Sequence, residues 1–196
     1  MEVIKMDYYN HDSNRRCSKC NSHACSCKIV CEVPKVPIGP FRATGPAGST
    51  TTETTCGLCE YGYIYNLTPQ TVAIEADVLF DTNGIMTPGI THIPGTSQIS
   101  VINPGVYEVT FSVSGTEPNQ FALFRNGLPV AGTIYGSGAG TQQNNGQAII
   151  TIAAFDVLTL RNHSSAAAVG LASVIGGTQA NVNASILIKM LNPNFT

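Results

Sequence analysis

Seven cysteines supply the most reactive chemistry in this chain, and all of them lie within the first 59 of its 196 residues. Five follow the spacing C-x2-C-x4-C-x-C-x3-C, at Cys17, Cys20, Cys25, Cys27 and Cys31, and Cys56 with Cys59 forms a further C-x2-C. With His11 and His23 close to the first group, thiolate and imidazole ligands could close a tetrahedral zinc site, chiefly through Cys17, Cys20, Cys25 and Cys27. A structural zinc site usually folds a second knuckle around the metal through an intervening hairpin, and "CSKCNSHACSC" is too short and polar to provide one. The expectation is therefore no resident metal and no other cofactor. Because seven is odd, at least one thiol per chain stays free or pairs between chains.

Elsewhere the residues that do chemistry are sparse. His92 and His163, in "ITHIPG" and "RNHSS", read as loop residues. No nucleophile elbow, phosphate-binding loop or zinc-protease signature occurs, so no catalytic residue is assigned and an enzyme is not expected. Asp77 and Asp81 in "EADVLFDTNG" have the oxygen ligands of a calcium loop, but a solvated turn is the favoured reading. Sequons at Asn66, Asn162, Asn183 and Asn194 carry little meaning without export. The net charge of −2 and the lack of a basic stripe argue against nucleic acid as a partner. No apolar run is long enough for a membrane span or a signal-peptide core, so neither a membrane partner nor secretory export is expected.

The elements that must position these residues divide the chain in three. Residues 1–32 form a cysteine-rich segment, 33–59 a Pro/Gly-rich connector, and 60–196 a domain. In the connector Pro34, Pro37 and Pro40 sit three apart, which favours an extended strand presenting apolar side chains to a partner groove. The docking residues are Val33, Pro34, Val36, Pro37, Ile38, Pro40 and Phe41. Gly39, Gly45 and Gly48 lie on a collagen-like grid that Arg42 breaks, so a stable triple helix is not expected. After Glu60 the sequence is rich in β-branched residues, with strand-length apolar or alternating runs separated by Asn-Pro-Gly, Arg-Asn-Gly and Asn-Asn-Gly turns. The domain is read as all-β, a sandwich of two antiparallel sheets or a barrel. "VYEVTFSV" alternates, whereas "AIITIAAF" and "ASILIKML" are apolar on both faces, which points to a second face covered by another chain. "GSGAGTQQNNG", Gly136 to Gly146, reads as a surface loop.

These segments carry a resemblance. "PGVYEVTFSVSG", then "FALFRNGLPVAGT", "GQAIITIAAFDVLTLRN" and "ASILIKML" resemble, in that order, the C1q/TNF-like jelly roll, in particular the carboxy-terminal domain of the collagen-like glycoproteins of the Bacillus exosporium. The resemblance implies a jelly-roll sandwich of about ten antiparallel strands, trimeric about a three-fold axis, with a mostly irregular N-terminal arm. It places the strand Ala184 to Met190 centrally in a sheet near the trimer interface. Pro37, Pro40 and Phe41, followed by Thr44, Gly45 and Pro46, match the leader that recruits such proteins to the spore surface. A three-fold head would bring copies of Cys56 and Cys59 together, so interchain disulfides fit better than zinc, with Cys17, Cys20, Cys25, Cys27 and Cys31 available to join trimers. The expected function is a structural subunit of a spore-surface fibre or appendage, made in the mother cell without a signal peptide. Its partners are other copies stacked into a polymer, a spore-surface anchor protein and a collagen-like tip glycoprotein. The alternative is a trimeric binding head that recognises a host or surface ligand.

Overall fold

Alternating apolar and polar residues send successive side chains to opposite faces of a strand, and this pattern governs the chain from Tyr61 onward. The computed structural model describes residues 60–140 and 142–193. Among the described residues there are thirteen strands and no helix. They are β1 (Tyr61–Asn66), β2 (Gln70–Val72), β3 (Thr82–Met86), β4 (Ile90–His92), β5 (Ile99–Val101), β6 (Gly105–Val113), β7 (Asn119–Arg125), β8 (Leu128–Pro129), β9 (Tyr135–Ser137), β10 (Asn144–Ile152), β11 (Asp156–Asn162), β12 (Val169–Leu171) and β13 (Ala184–Asn192). The number exceeds the expected ten because β2, β4, β5, β8, β9 and β12 are pieces of two or three residues.

Two antiparallel sheets face each other across one core. The first has the order β10-β6-β13-β1-β3; the second runs β4-β5-β11-β7-β8, with β9 also on β7, and β12 with β2 forms a short ribbon. β6 buries Gly105, Tyr107, Val109, Phe111 and Val113 and leaves the residues between them half-buried. Across the first sheet Ile64, Ile186, Phe111 and Gly146 stand in one inward row. The second sheet supplies Ile99, Val101, Phe121, Leu123, Leu158 and Leu160 to the same core. Each such side chain contributes about 1.5–3 kcal/mol on burial. β13 lies centrally, between β6 and β1, as expected for Ala184 to Met190.

Two sequence readings need correction. The β10 and β13 runs are not apolar on both faces: outward-facing positions hold Asn145, Gln147, Ile149 and Thr151 on one, Ser185, Leu187 and Lys189 on the other. Gly136 to Gly146 is not all loop, since Ser137 ends β9 and Asn144 begins β10. Asn144 is drawn inside by amide bonds to Asn119 Oδ1 (2.9 Å) and the Tyr135 carbonyl (2.7 Å). Three of the four sequon asparagines, Asn66, Asn162 and Asn183, are buried and structural, in keeping with the little meaning given to the sequons, and Asn194 lies outside the described residues. Asn66 Nδ2 donates to Asn183 Oδ1 at 2.7 Å, Asn183 Nδ2 to the Thr68 carbonyl at 3.1 Å, and Asn162 Nδ2 to the Val72 carbonyl at 2.9 Å. Buried amides need such partners, so in the folded domain these three are not available to a glycosyl group.

Glycine-like freedom or space matters at a tight turn and at one close approach in the core. Asn126 and Gly127, between β7 and β8, have φ of 51° and 80°, the pair of left-handed residues that a tight two-residue hairpin turn demands. At Gly146 a Cβ would sit 2.2 Å from the Phe111 ring and 2.7 Å from that of Tyr135, whose rings meet edge to face at 5.8 Å. Gly146→Ala is expected to lower stability by roughly 1–3 kcal/mol through overpacking, read as a lower urea midpoint at unchanged slope. An unchanged midpoint contradicts this account of the Phe111–Tyr135 contact.

Candidate self-association face

The connector residues Val33, Pro34, Val36, Pro37, Ile38, Pro40 and Phe41 lie outside the described residues, as do the seven cysteines from Cys17 to Cys59. Among the described residues, the side chains that sequence singled out for chemistry, Asp77, Asp81, His92 and His163, are all hydrogen-bonded within the fold. His92 is not in a loop but ends β4, buried, with Nδ1 2.6 Å from Asn83 Oδ1 and Nε2 3.0 Å from the Thr96 carbonyl. Asp81, partly exposed just before β3, spends its carboxylate on the chain itself. It accepts the Leu67 and Thr68 amides (3.1 and 2.8 Å) and the Thr68 and Thr82 hydroxyls. Burial raises its pKa, but these donors outweigh it and hold the carboxyl below its ordinary range. Among the described residues no three His, Cys, Asp or Glu side chains gather as a metal site would require.

Asp77 is likewise committed, to Arg161. The guanidinium Nε lies 2.7 Å from Asp77 Oδ1, and the same group covers the Phe124 ring at 4.1 Å. The Asp77 hydrogen bond pushes the Arg161 pKa up. His163 meets Phe124 edge to face at 5.2 Å and places Nδ1 2.9 Å from Glu75 Oε2. Glu75 and Ser164 both have left-handed backbone, φ 58° and 64°, and the Ser164 amide donates to Glu75 Oε1 at 2.9 Å. The His163 and Ser164 bonds hold the Glu75 carboxyl below its ordinary value. This cluster therefore fastens two strained turns over an outward-facing Phe. Asp77 and Arg161 are 84 residues apart in sequence and Glu75 and His163 are 88 apart, so no local pattern announces the cluster.

Two shallow grooves of about 380 and 410 Å³ open on the domain. One is lined by Pro69, Gln70, Thr116 and Leu171, the other by Asn119, Gln120, Ser137 and Ser165. Neither is lined by a titratable side chain, and Ser165 Oγ is taken by the Gln120 amide at 2.8 Å. These grooves have no means of general acid or base catalysis.

The outward face of the five-stranded sheet differs in kind. Register sets three cross-sheet rows on it: Tyr61, Lys189, Glu108 and Ile149; Tyr63, Leu187, Thr110 and Gln147; Tyr65, Ser185, Ser112 and Asn145. Tyr63 and Tyr65 stack at 5.1 Å, Ile149 is 68 % exposed, and Lys189 Nζ pairs with Glu108 Oε2 at 2.8 Å. Tyrosines, aliphatic side chains and one compensated ion pair on a rigid sheet fit a protein surface rather than a reaction centre. At one end of the face Glu60 fixes the point where the chain enters β1. Its carboxylate accepts the Thr87 hydroxyl, the Gly89 amide (3.1 Å) and Asn103 Nδ2 (2.6 Å), and its carbonyl accepts the Met190 amide at 2.8 Å. The Tyr107 hydroxyl donates to the Asn103 carbonyl at 2.7 Å; burial, and then the nearby Glu60 charge, raise its pKa. Sequence reasoning named none of Glu60, Glu108 or Lys189 for a role, although "YGYIY" and the alternation of β6 signal the face.

No known family model matches the chain, and no curated protein matches it in sequence. Solved structures do match in fold. The globular domain of zebrafish complement 1qA protein aligns with a TM-score of 0.54 at 14 % identity, covering 69 % of this chain and 98 % of that one. The Eiger TNF of S. frugiperda aligns with a TM-score of 0.50 at 14 % identity, covering 69 % and 94 %. The domain thus has the C1q/TNF-type jelly-roll fold.

Three carboxyls, Glu75, Asp81 and Glu117, are held below ordinary values of 4.5 for Glu and 3.8 for Asp, the last-named Glu117 by the Gly170 amide and Thr116 hydroxyl. A carboxyl depressed in the folded state stabilises it above the unfolded value, and that stability is lost as pH falls through the folded value. The melting temperature is expected to be flat from neutral pH to about 5 and to fall steadily below. A melting temperature that is unchanged or rises down to about pH 3 contradicts this assignment.

Proposed function

We propose that this protein is a structural subunit of a spore-surface, or exosporium, fibre or appendage. Its heads associate in threes through the outward face of the five-stranded sheet, and its N-terminal connector joins one trimer to the next. The observation that carries the reading is that face, with Tyr61, Tyr63, Tyr65, Leu187 and Ile149 set on a rigid sheet. The C1q/TNF-type fold of the head and its position behind a Pro-rich connector and a cysteine cluster both support it. A heterologous contact between heads closes into a ring, whereas a connector that reaches a further copy leaves the assembly open, and open contacts produce filaments. In this reading Val33 to Phe41 dock onto a neighbouring trimer, and Cys56, Cys59 and the upstream cysteines add interchain disulfides that resist dissociation. The partners are other copies of the chain, a spore-surface anchor protein and a collagen-like tip glycoprotein, and the role is structural rather than catalytic.

The intact chain and a copy starting at Glu60, viewed by negative-stain microscopy with and without reductant, test the connector. Fibres from the intact chain and isolated heads from the shortened one are expected. Isolated heads from both would sink the fibre reading and leave a displayed binding head in its place. Phe41→Ala is expected to break the fibres, since truncating a buried aromatic anchor costs about 2–4 kcal/mol.

A further inference from the structure

Of the twelve side chains in the three cross-sheet rows of the outward face, Glu108 and Lys189 alone are charged, and we infer that this pair selects which surface the face accepts, namely a second copy of itself. The inference rests on the self-association reading above. The two residues are direct cross-strand partners in the β13–β6 register, with Tyr61 beyond the lysine and Ile149 beyond the glutamate in the same row. Both remain partly open to solvent, 29 % for the lysine and 32 % for the glutamate. The other basic residues after Arg42 are Arg125 and Arg161, which lie on the second sheet with Asp156 and Asp77 as partners. Among the described residues Lys189 is therefore the one cation in these rows.

A solvated pair of this kind adds little to the stability of a lone head. Covering it with a second apolar surface changes that, because both ions lose water and removal of either partner strands the other in a poor environment. The arrangement discriminates between occupants by charge. An acidic partner meets Glu108, a basic partner meets Lys189, and a purely apolar one strips water from both ions, a cost that their mutual attraction offsets only in part. In a three-fold ring the faces of three copies meet around the axis, and each head offers its carboxylate to one neighbour and its ammonium to the other, so the pair of one head is matched by the pairs of the next two.

The test uses the intact chain in reductant, diluted to micromolar concentration and followed by sedimentation, with a circular-dichroism melt on each variant. E108K and K189E are each expected to weaken association by roughly tenfold or more while keeping the native melt. When the two are mixed, tagged K189E is expected to retain E108K in preference to untagged K189E. Should a reversal fail to fold, K189M carries the same comparison: alone it strands Glu108 and weakens association, and E108Q/K189M restores it. Wild-type chains that sediment as monomers overturn the self-association reading underneath. Wild-type chains that associate, with reversed or K189M variants associating equally well, overturn this inference alone. Reversed variants that weaken but show no preference for each other also overturn it, since the pair then acts only within each head.

Discussion

The head depends on one pairing, that of β13 with β6. The strand nearest the end of the described chain lies in the middle of the first sheet, with β6 on one side and β1 on the other. Eight residues of β13 pair with β6, through a register that shifts between Met190 and Asn192. Until that strand is seated, β1 and β6 each lack a neighbour, and the row of Ile64, Ile186 and Phe111 cannot close. Contacts so distant in sequence are entropically slow to form, so folding of this sheet waits on the latest part of the domain. The outward face inherits the same constraint, because Leu187 and Lys189 are on β13 while Thr110 and Glu108 are on β6.

Around this pairing the polar interior serves closure rather than chemistry. Asn66 and Asn183 join the end of β1 to the start of β13, Asn119 and Asn144 join the two sheets at one margin, and Asp81 ties down the turn after β1. Arg125 and Tyr135 reach from the second sheet to carbonyls of Thr151 and Gln147 on the free edge of β10. An open strand edge invites pairing with another chain, and these two donors occupy alternate acceptors along it. The strain stored in left-handed Glu75 and Ser164 is of order 1–3 kcal/mol per residue, and their mutual hydrogen bonds keep both turns in place.

The sequence was most readable where one strand carries its own message. The alternation of Tyr107, Val109, Phe111 and Val113 is local, so the burial of β6 follows from it directly. Asn126-Gly127 announces a hairpin for the same reason. What could not be read were pairings between distant positions: Glu75 with His163, Asp77 with Arg161, Glu108 with Lys189. Asp77 and Arg161 lie 84 residues apart and Glu75 and His163 lie 88 apart, and only the fold brings each residue to its partner. His92 was misplaced because "ITHIPG" ends in loop-forming residues, while its burial comes from Asn83, nine residues upstream on another strand. The face was half legible: "YGYIY" shows three tyrosines at period two, but the mixed outward positions of β10 and β13 depend on which side of the sheet faces the core.

The Asn126-Gly127 turn has a consequence for how the protein ages. Asn-Gly is the dipeptide most prone to cyclise to a succinimide, because glycine leaves the following amide nitrogen free to attack the side-chain carbon. Here that side chain is clamped at both ends, with Nδ2 donating to Asp156 Oδ1 at 2.7 Å and Oδ1 accepting the Val157 amide at 2.8 Å. Cyclisation has to break both bonds and detach the turn from β11 before the carbon can rotate toward the nitrogen. The dipeptide that gives the hairpin its geometry is thus shielded by β11, whereas Asn145-Gly146 on β10, with its asparagine exposed, has no such clamp among the described residues and is the more open of the two to this reaction.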